Sequence, residues 1–283
     1  MESSAGPLRR LWLALAACQA LTSVGLVHLS YDGPLMPLLA AVVWCGALIC
    51  LEDQLASLHP RPTLLGAALG ALLLLFSLWR ALVSLHHDTV VVLLPVLQGL
   101  GLALLCTPPR SLRRFRDSLA VLSLFPLQLA LMRALPEALI SSLSARLAQA
   151  LLLLLGWDVA VQGRQIQMGL ARLQVVGACN GIDLIAQLSA IAVIFVLAFP
   201  LSRRRWRFAF LALAPVVALL TNAVRVALLT AVISGTGSAS EPLFVFFHDQ
   251  WGALLFAGIA MAILGWIYYQ VLDRDLRRLE GHG

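Results

Sequence analysis

The sequence predicts an all-α fold, a polytopic membrane helical bundle of about eight transmembrane helices, and three observations predict it. Of its 283 residues, 60% are hydrophobic and only 12% are charged, whereas a soluble domain carries about a quarter charged residues. The apolar residues gather into runs long enough to cross a bilayer, allowing for tilt. The formal charge of +6 comes from arginine alone, since no lysine occurs, and the arginines stand between the apolar runs instead of covering one face. That pattern sets membrane topology and argues against nucleic-acid binding.

The elements follow in chain order. The opening "MESSAGPLRRLWLALAACQALTSVGLVHL" places a basic stretch before an apolar run, as a secretion signal does. The run is too long and lacks a small-x-small cleavage site, so 11–29 reads as a retained first span. Runs at 34–51, 63–80, 89–106 and 118–135 follow, the first four spans carrying few polar groups and reading as lipid-facing scaffold. Glu137 to Trp157 resembles a further span, yet Glu137, Ser141, Ser144 and Gln149 recur along it with Arg146 nearby. It therefore reads as an amphipathic interfacial helix on the outer surface, with a re-entrant helix as the alternative. "WDVAVQGRQIQMGLARLQVVGAC" alternates partly between apolar and polar residues, which predicts a short extracytoplasmic loop or strand segment. Runs at 184–200, 208–233 and 251–271 complete the eight. Arginines mark Arg9 and Arg10, Arg61, the stretch 110–116, the stretch 203–207 and the stretch 273–278 as cytoplasmic; 30–33, 86–88, 136–183 and 234–250 then face outward. No internal repeat or linker marks a second soluble domain, so 1–283 reads as a single integral membrane domain.

Polar groups within or beside apolar spans each ask for a partner or a purpose. Arg225 lies in "LLTNAVRVALLT", near the outer end of its span, with Asn222 three residues earlier on about the same helix face. His248, in "FVFFHDQWG", sits where an aromatic run meets the last span, next to Asp249. Cys179, in "VVGACNGIDL", precedes its own span by a few residues. It alone of the five cysteines has polar neighbours on both sides; Cys18, Cys45, Cys50 and Cys106 lie in apolar runs. Three spans thus bring Cys179, Arg225 and His248 to one depth. A nucleophilic thiol must lose its proton, which a nearby histidine, arginine or helix N-terminus favours. Gly181 supplies backbone freedom beside the thiol, while Asn180 and Asp183 can cap the following span.

"ACNGIDL", "TNAVRVALL" and "FHDQWG", in this order and on these spans, resemble the exosortase/archaeosortase family of multispanning cysteine transpeptidases and proteases. The resemblance is strongest over 150–270. It implies that Cys179 is the nucleophile, Arg225 a positive group stabilising an oxyanion or thiolate, and His248 the general acid/base, with Asn180, Gly181 and Asn222 in support. It also implies a site facing the periplasm or exterior of a bacterial inner membrane. The partners it implies are exported, membrane-tethered proteins carrying PEP-CTERM-like C-terminal sorting signals, together with the lipid bilayer. Asn180 stands where the family commonly has serine, a polar change that retains hydrogen bonding.

No cofactor is expected. The cysteine spacing offers no structural metal set, "HHD" at 86–88 lacks an HExxH partner, and no GxSxG elbow occurs. A transporter of an anionic or proton-coupled solute through Arg225 and His248 is the competing reading, and a non-catalytic scaffold a second. Against transport, the polar residues gather at one face, and neither an inverted repeat nor paired broken helices are evident.

Overall fold

Helices dominate because most of the chain offers apolar faces to lipid, where every backbone group must be bonded within its own segment. The computed structural model describes residues 5–52, 62–83, 90–235 and 240–280; Arg61 and the "HHD" stretch at 86–88 lie outside the described residues. Ten α-helices are formed among them. Contacts divide the chain into two compact units, residues 1–127 and 128–283.

The first unit holds α1 (Ala5–Ser30), α2 (Leu35–Ile49), α3 (Leu64–Val83), α4 (Val90–Cys106), a 3-10 turn (Pro109–Phe115) and the start of α5 (Arg116–Ala134). Its helices are less uniformly apolar in their contacts than the sequence suggests. Ser77 donates to Gln19 Oε1 at 2.9 Å and accepts from Gln98 Nε2 at 3.4 Å, all three residues fully buried. Trp12 Nε1 donates to the carbonyl of Leu102 at 2.9 Å. At Gly70 a Cβ would lie 2.7 Å from the carbonyl oxygen of Gly101, so α3 and α4 approach through bare backbone.

The second unit contains α6 (Glu137–Leu154), β1 (Ala160–Gln162), β2 (Gln165–Met168), β3 (Ala171–Gln174), α7 (Ile182–Ala198), α8 (Arg204–Ser234), α9 (Ser240–His248) and α10 (Gln250–Glu280). The strands form an antiparallel sheet in the order β1-β2-β3, with Val161 opposite Ile166 and Ile166 opposite Leu173. The alternation in "QIQM" is realised directly: Ile166 and Met168 are buried, Gln165 and Gln167 exposed. Two apolar clusters organise the unit. Towards the start of α8, Phe210, Ala214 and Val217 pack with Leu188, Ala192, Leu264 and Tyr268. There the Tyr268 hydroxyl meets the carbonyls of Phe195 and Phe199, and Asp275 accepts from both the amide and the hydroxyl of Ser202 at 2.6 Å. Towards its end, Val226, Ala227 and Leu229 pack with the sheet residues Ile166, Met168 and Leu173, with Ala145, Ala148 and Leu152 of α6, and with Cys179.

Two features differ from the sequence expectation. Six helices among the described residues are long and apolar enough to cross a membrane, not eight: Leu8–Ser30, Leu64–Val83, Pro109–Ala134, Glu137–Leu154, Arg204–Ser234 and Gln250–Leu279. The runs at 34–51, 89–106 and 184–200 form the shorter helices α2, α4 and α7, of 15, 17 and 17 residues. Second, α6 does not present Ser141 and Ser144 to water. Ser141 and Ser144 are fully buried together with Ala145 and Ala148. Leu135 and Ile140 pack on the cluster around Phe210, whereas Ala148 and Leu152 belong to the cluster around Cys179, so α6 runs lengthwise beside α8. Its small polar stripe is a helix-packing seam, which has the same spacing as a solvated face.

Candidate functional site

The site begins with a break in the backbone. After β3, Val175 still donates to the carbonyl of Arg164 at 2.9 Å, Val176 stays extended, and Gly177 turns the chain at φ +54° into a short 3-10 turn ending at Cys179. Asn180 then closes a local turn, its Oδ1 accepting from the amide of Ile182 at 2.9 Å. Gly181 takes φ +88°, and a Cβ there would lie 2.7 Å from Asn222 Nδ2. Only glycine satisfies both the left-handed conformation and that approach. Of the two expected caps, Asn180 makes its bond; Asp183 makes no capping bond and contributes its charge in the first turn of α7.

Asn222 fastens this loop to α8. Its Nδ2 donates to the carbonyl of Cys179 at 3.0 Å and to Ser144 Oγ at 3.3 Å, while Ser144 Oγ donates to the carbonyl of Asn180 at 2.8 Å. All four residues are buried. Ser144 is the member that sequence reasoning missed: its spacing with Ser141 was visible, but not which surface that stripe meets.

Arg225 lies three residues further along α8, and its side chain works on the far corner of the unit. Nε donates to the carbonyl of Phe247 at 2.9 Å, and one terminal nitrogen donates to those of His248 at 2.8 Å and Asp249 at 3.4 Å. These are carbonyls at the C-terminal end of α9, where a helix leaves acceptors unfilled and its dipole attracts a cation. The same positive charge acts on Cys179 and on Asp183. Burial pushes the Cys179 thiol up from its ordinary value, and the guanidinium pulls it partly back.

His248 is held by its backbone. Its imidazole is exposed and stacks on Phe244 with ring centroids 5.4 Å apart, and no hydrogen bond among the described residues joins it to Cys179. Phe244 and Phe247 pack against the cluster that contains Cys179. The structure therefore brings Cys179, Asn180, Gly181, Asn222 and Arg225 into one connected group. His248 comes to its margin, on a corner that Arg225 fixes. Among the described residues no group of three or more His, Cys, Asp and Glu side chains could hold a metal ion.

A family model described as transmembrane exosortase (Exosortase_EpsH) matches residues 8–265 of the chain. No curated protein and no solved structure matches it.

Proposed function

Because the chain belongs to the transmembrane exosortase family, we propose that it is a membrane cysteine transpeptidase or protease that cleaves PEP-CTERM-like C-terminal sorting signals of exported proteins. Its site would open at the outer face of a bacterial inner membrane, the arginine-rich connections remaining in the cytoplasm. One observation carries the reading: Cys179 is buried at a helix start, locked by Asn222 and in the field of Arg225.

The chemistry follows from that environment. A thiol raised by burial keeps its proton at neutral pH, so attack requires a base. His248 takes the Cys179 proton as sulfur adds to the scissile carbonyl, forming a C–S bond and a tetrahedral oxyanion. Arg225 stabilises that negative charge through its field in a site of low dielectric. Collapse breaks the C–N bond, His248 returns the proton to the departing amine, and a thioester remains on Cys179. An incoming amine resolves it by transpeptidation, or water by hydrolysis; either restores the thiol. The membrane confines both partners to a single plane, which raises their effective concentration without a large soluble interface.

The test is Cys179→Ala in cells, with the mobility of exported proteins bearing a C-terminal span as readout. The uncut form should accumulate while the variant remains inserted at normal abundance. Normal processing would make Cys179 a packing residue and would favour transport through Arg225 and His248.

A further inference from the structure

We propose that the free edge of β3 is a docking strand for the polypeptide substrate, which adds to the sheet as an extended segment and is thereby led to Cys179. The proposal rests on the reading of Cys179 as the nucleophile and adds where the substrate main chain binds.

Hydrogen-bond parity identifies the edge. The β1-β2 and β2-β3 connections are two-residue turns, with Gln162 opposite Gln165 and Met168 opposite Ala171, and each turn carries a positive-φ glycine, Gly163 or Gly169. The closing pairs of such hairpins exchange both backbone bonds, and bonded pairs then recur every second residue. Ala171, Leu173 and Val175 therefore bond to β2, in agreement with the Val175 amide on the carbonyl of Arg164. Arg172 and Gln174 direct their amides and carbonyls outward, and β3 is an edge strand. No main-chain or side-chain partner meets those groups among the described residues.

The opposite edge is treated differently. There Gln149 of α6 donates to the carbonyl of Val159 at 3.0 Å, covering the approach to β1. The β3 edge has no proline and no bulge, and no side chain among the described residues hydrogen-bonds to Arg172 or Gln174, so the usual protections of an exposed edge are missing. Its extended backbone continues through Val176 at φ −144° and reaches Cys179 three residues later. At its other end it opens on a cavity of about 520 Å³ lined by Trp157, Met168, Leu170 and Ile233, wide enough to take an apolar side chain of the added strand. An extended peptide is thus bound through its main chain, with the pocket selecting side chains, as in other strand additions.

The experiment compares alkylation of Cys179 in the full-length protein, in detergent or nanodiscs, by methyl vinyl sulfone and by a tetra-alanine vinyl sulfone. A second tetrapeptide carries N-methyl groups on alternate amides. The plain peptide should label faster than methyl vinyl sulfone by about tenfold or more, the N-methylated one should lose that advantage, and Gln174→Pro should abolish it. Proline at 174 removes only an outward amide, which an edge strand tolerates, whereas Gln174→Ala keeps that amide and should label as the wild type does. Equal rates for the three reagents, as when a second copy occupies the edge, would overturn the proposal. So would unchanged selectivity in Gln174→Pro, or equal loss in Gln174→Ala. If Gln174→Pro fails to fold, the N-methyl comparison on the wild-type protein decides. A Cys179 that no reagent labels, even in denaturant-free protein of full length, would instead remove the nucleophile reading itself, and the docking strand with it.

Discussion

Gly181 is the residue on which the loop geometry turns. Its φ of +88° costs a side-chain-bearing residue of order 1–3 kcal/mol, and the approach of Asn222 leaves no room for a methyl group. Gly181→Ala should therefore lower the thermal midpoint in detergent and impair processing together, because the strain falls on the bonds that hold Cys179. A variant that melts like the wild type would show that the loop can relax without help from Asn222. The thiol itself makes a second prediction. Burial raises it above its ordinary value of 9.0, and Arg225 offsets part of the rise. The rate of labelling by a small thiol reagent should climb as pH passes above that value, and Arg225→Met, lacking the cation, should move the midpoint higher still. A wild-type midpoint below 9.0 would contradict the balance of burial over charge. Much of this scale was legible in the sequence, since Cys179, Asn180, Gly181 and Asn222 stood out as polar or flexible residues beside apolar runs. The acceptors of Arg225 were not, because they are main-chain carbonyls more than 20 residues away that any side chain could carry.

Among the elements, α8 is the one from which the site hangs. Asn222 faces the Cys179 loop and Arg225 faces the corner between α9 and α10, which are joined at Asp249. The corner is tight: a Cβ on Gly252 would lie 2.5 Å from the carbonyl oxygen of Phe247. Lysine offers a point charge without the planar fork that spans successive acceptors. Arg225→Lys should retain part of the electrostatic effect on Cys179 yet release the corner, seen as faster amide hydrogen exchange over residues 245–253 and a several-fold loss of processing. Unchanged exchange would mean that the aromatic packing of Phe244 and Phe247 suffices. The strands were readable from their alternation, as period two has a single structural meaning once one face is buried. The stripe on α6 was not, because a period near 3.6 marks which residues share a face and says nothing of whether lipid, water or another helix meets it.

For the molecule as a whole, the open question set by the sequence is parity. Between the arginines of 110–116 and those of 203–207 lie α5, α6 and α7, and α6 runs along α8 over both apolar clusters. If α6 penetrates without emerging on the far side, both arginine groups remain cytoplasmic, as their charge requires. Arg114→Cys and Arg205→Cys, each in a background lacking the native cysteines, should then be equally shielded from an impermeant maleimide in intact cells, while Gln167→Cys on the sheet is labelled. Opposite accessibility of the two arginine positions would mean that α6 crosses completely. The count of spans was less legible than their existence, since α2, α4 and α7 are mostly apolar but rise only about 23–26 Å at the helical 1.5 Å per residue.

One consequence concerns the bilayer. Asn222 and Arg225 stand less than one helical turn apart, so the anchor of the thiol loop and the anchor of the histidine corner tilt, rise and sink as one piece. Thickening or thinning the lipid changes the angle of a long helix without changing the distance between neighbours on it. Under the proposed function, the spacing between the Cys179 loop and the His248 corner would thus be insulated from lipid composition, and the depth at which a substrate tail arrives would be what varies from one membrane to another.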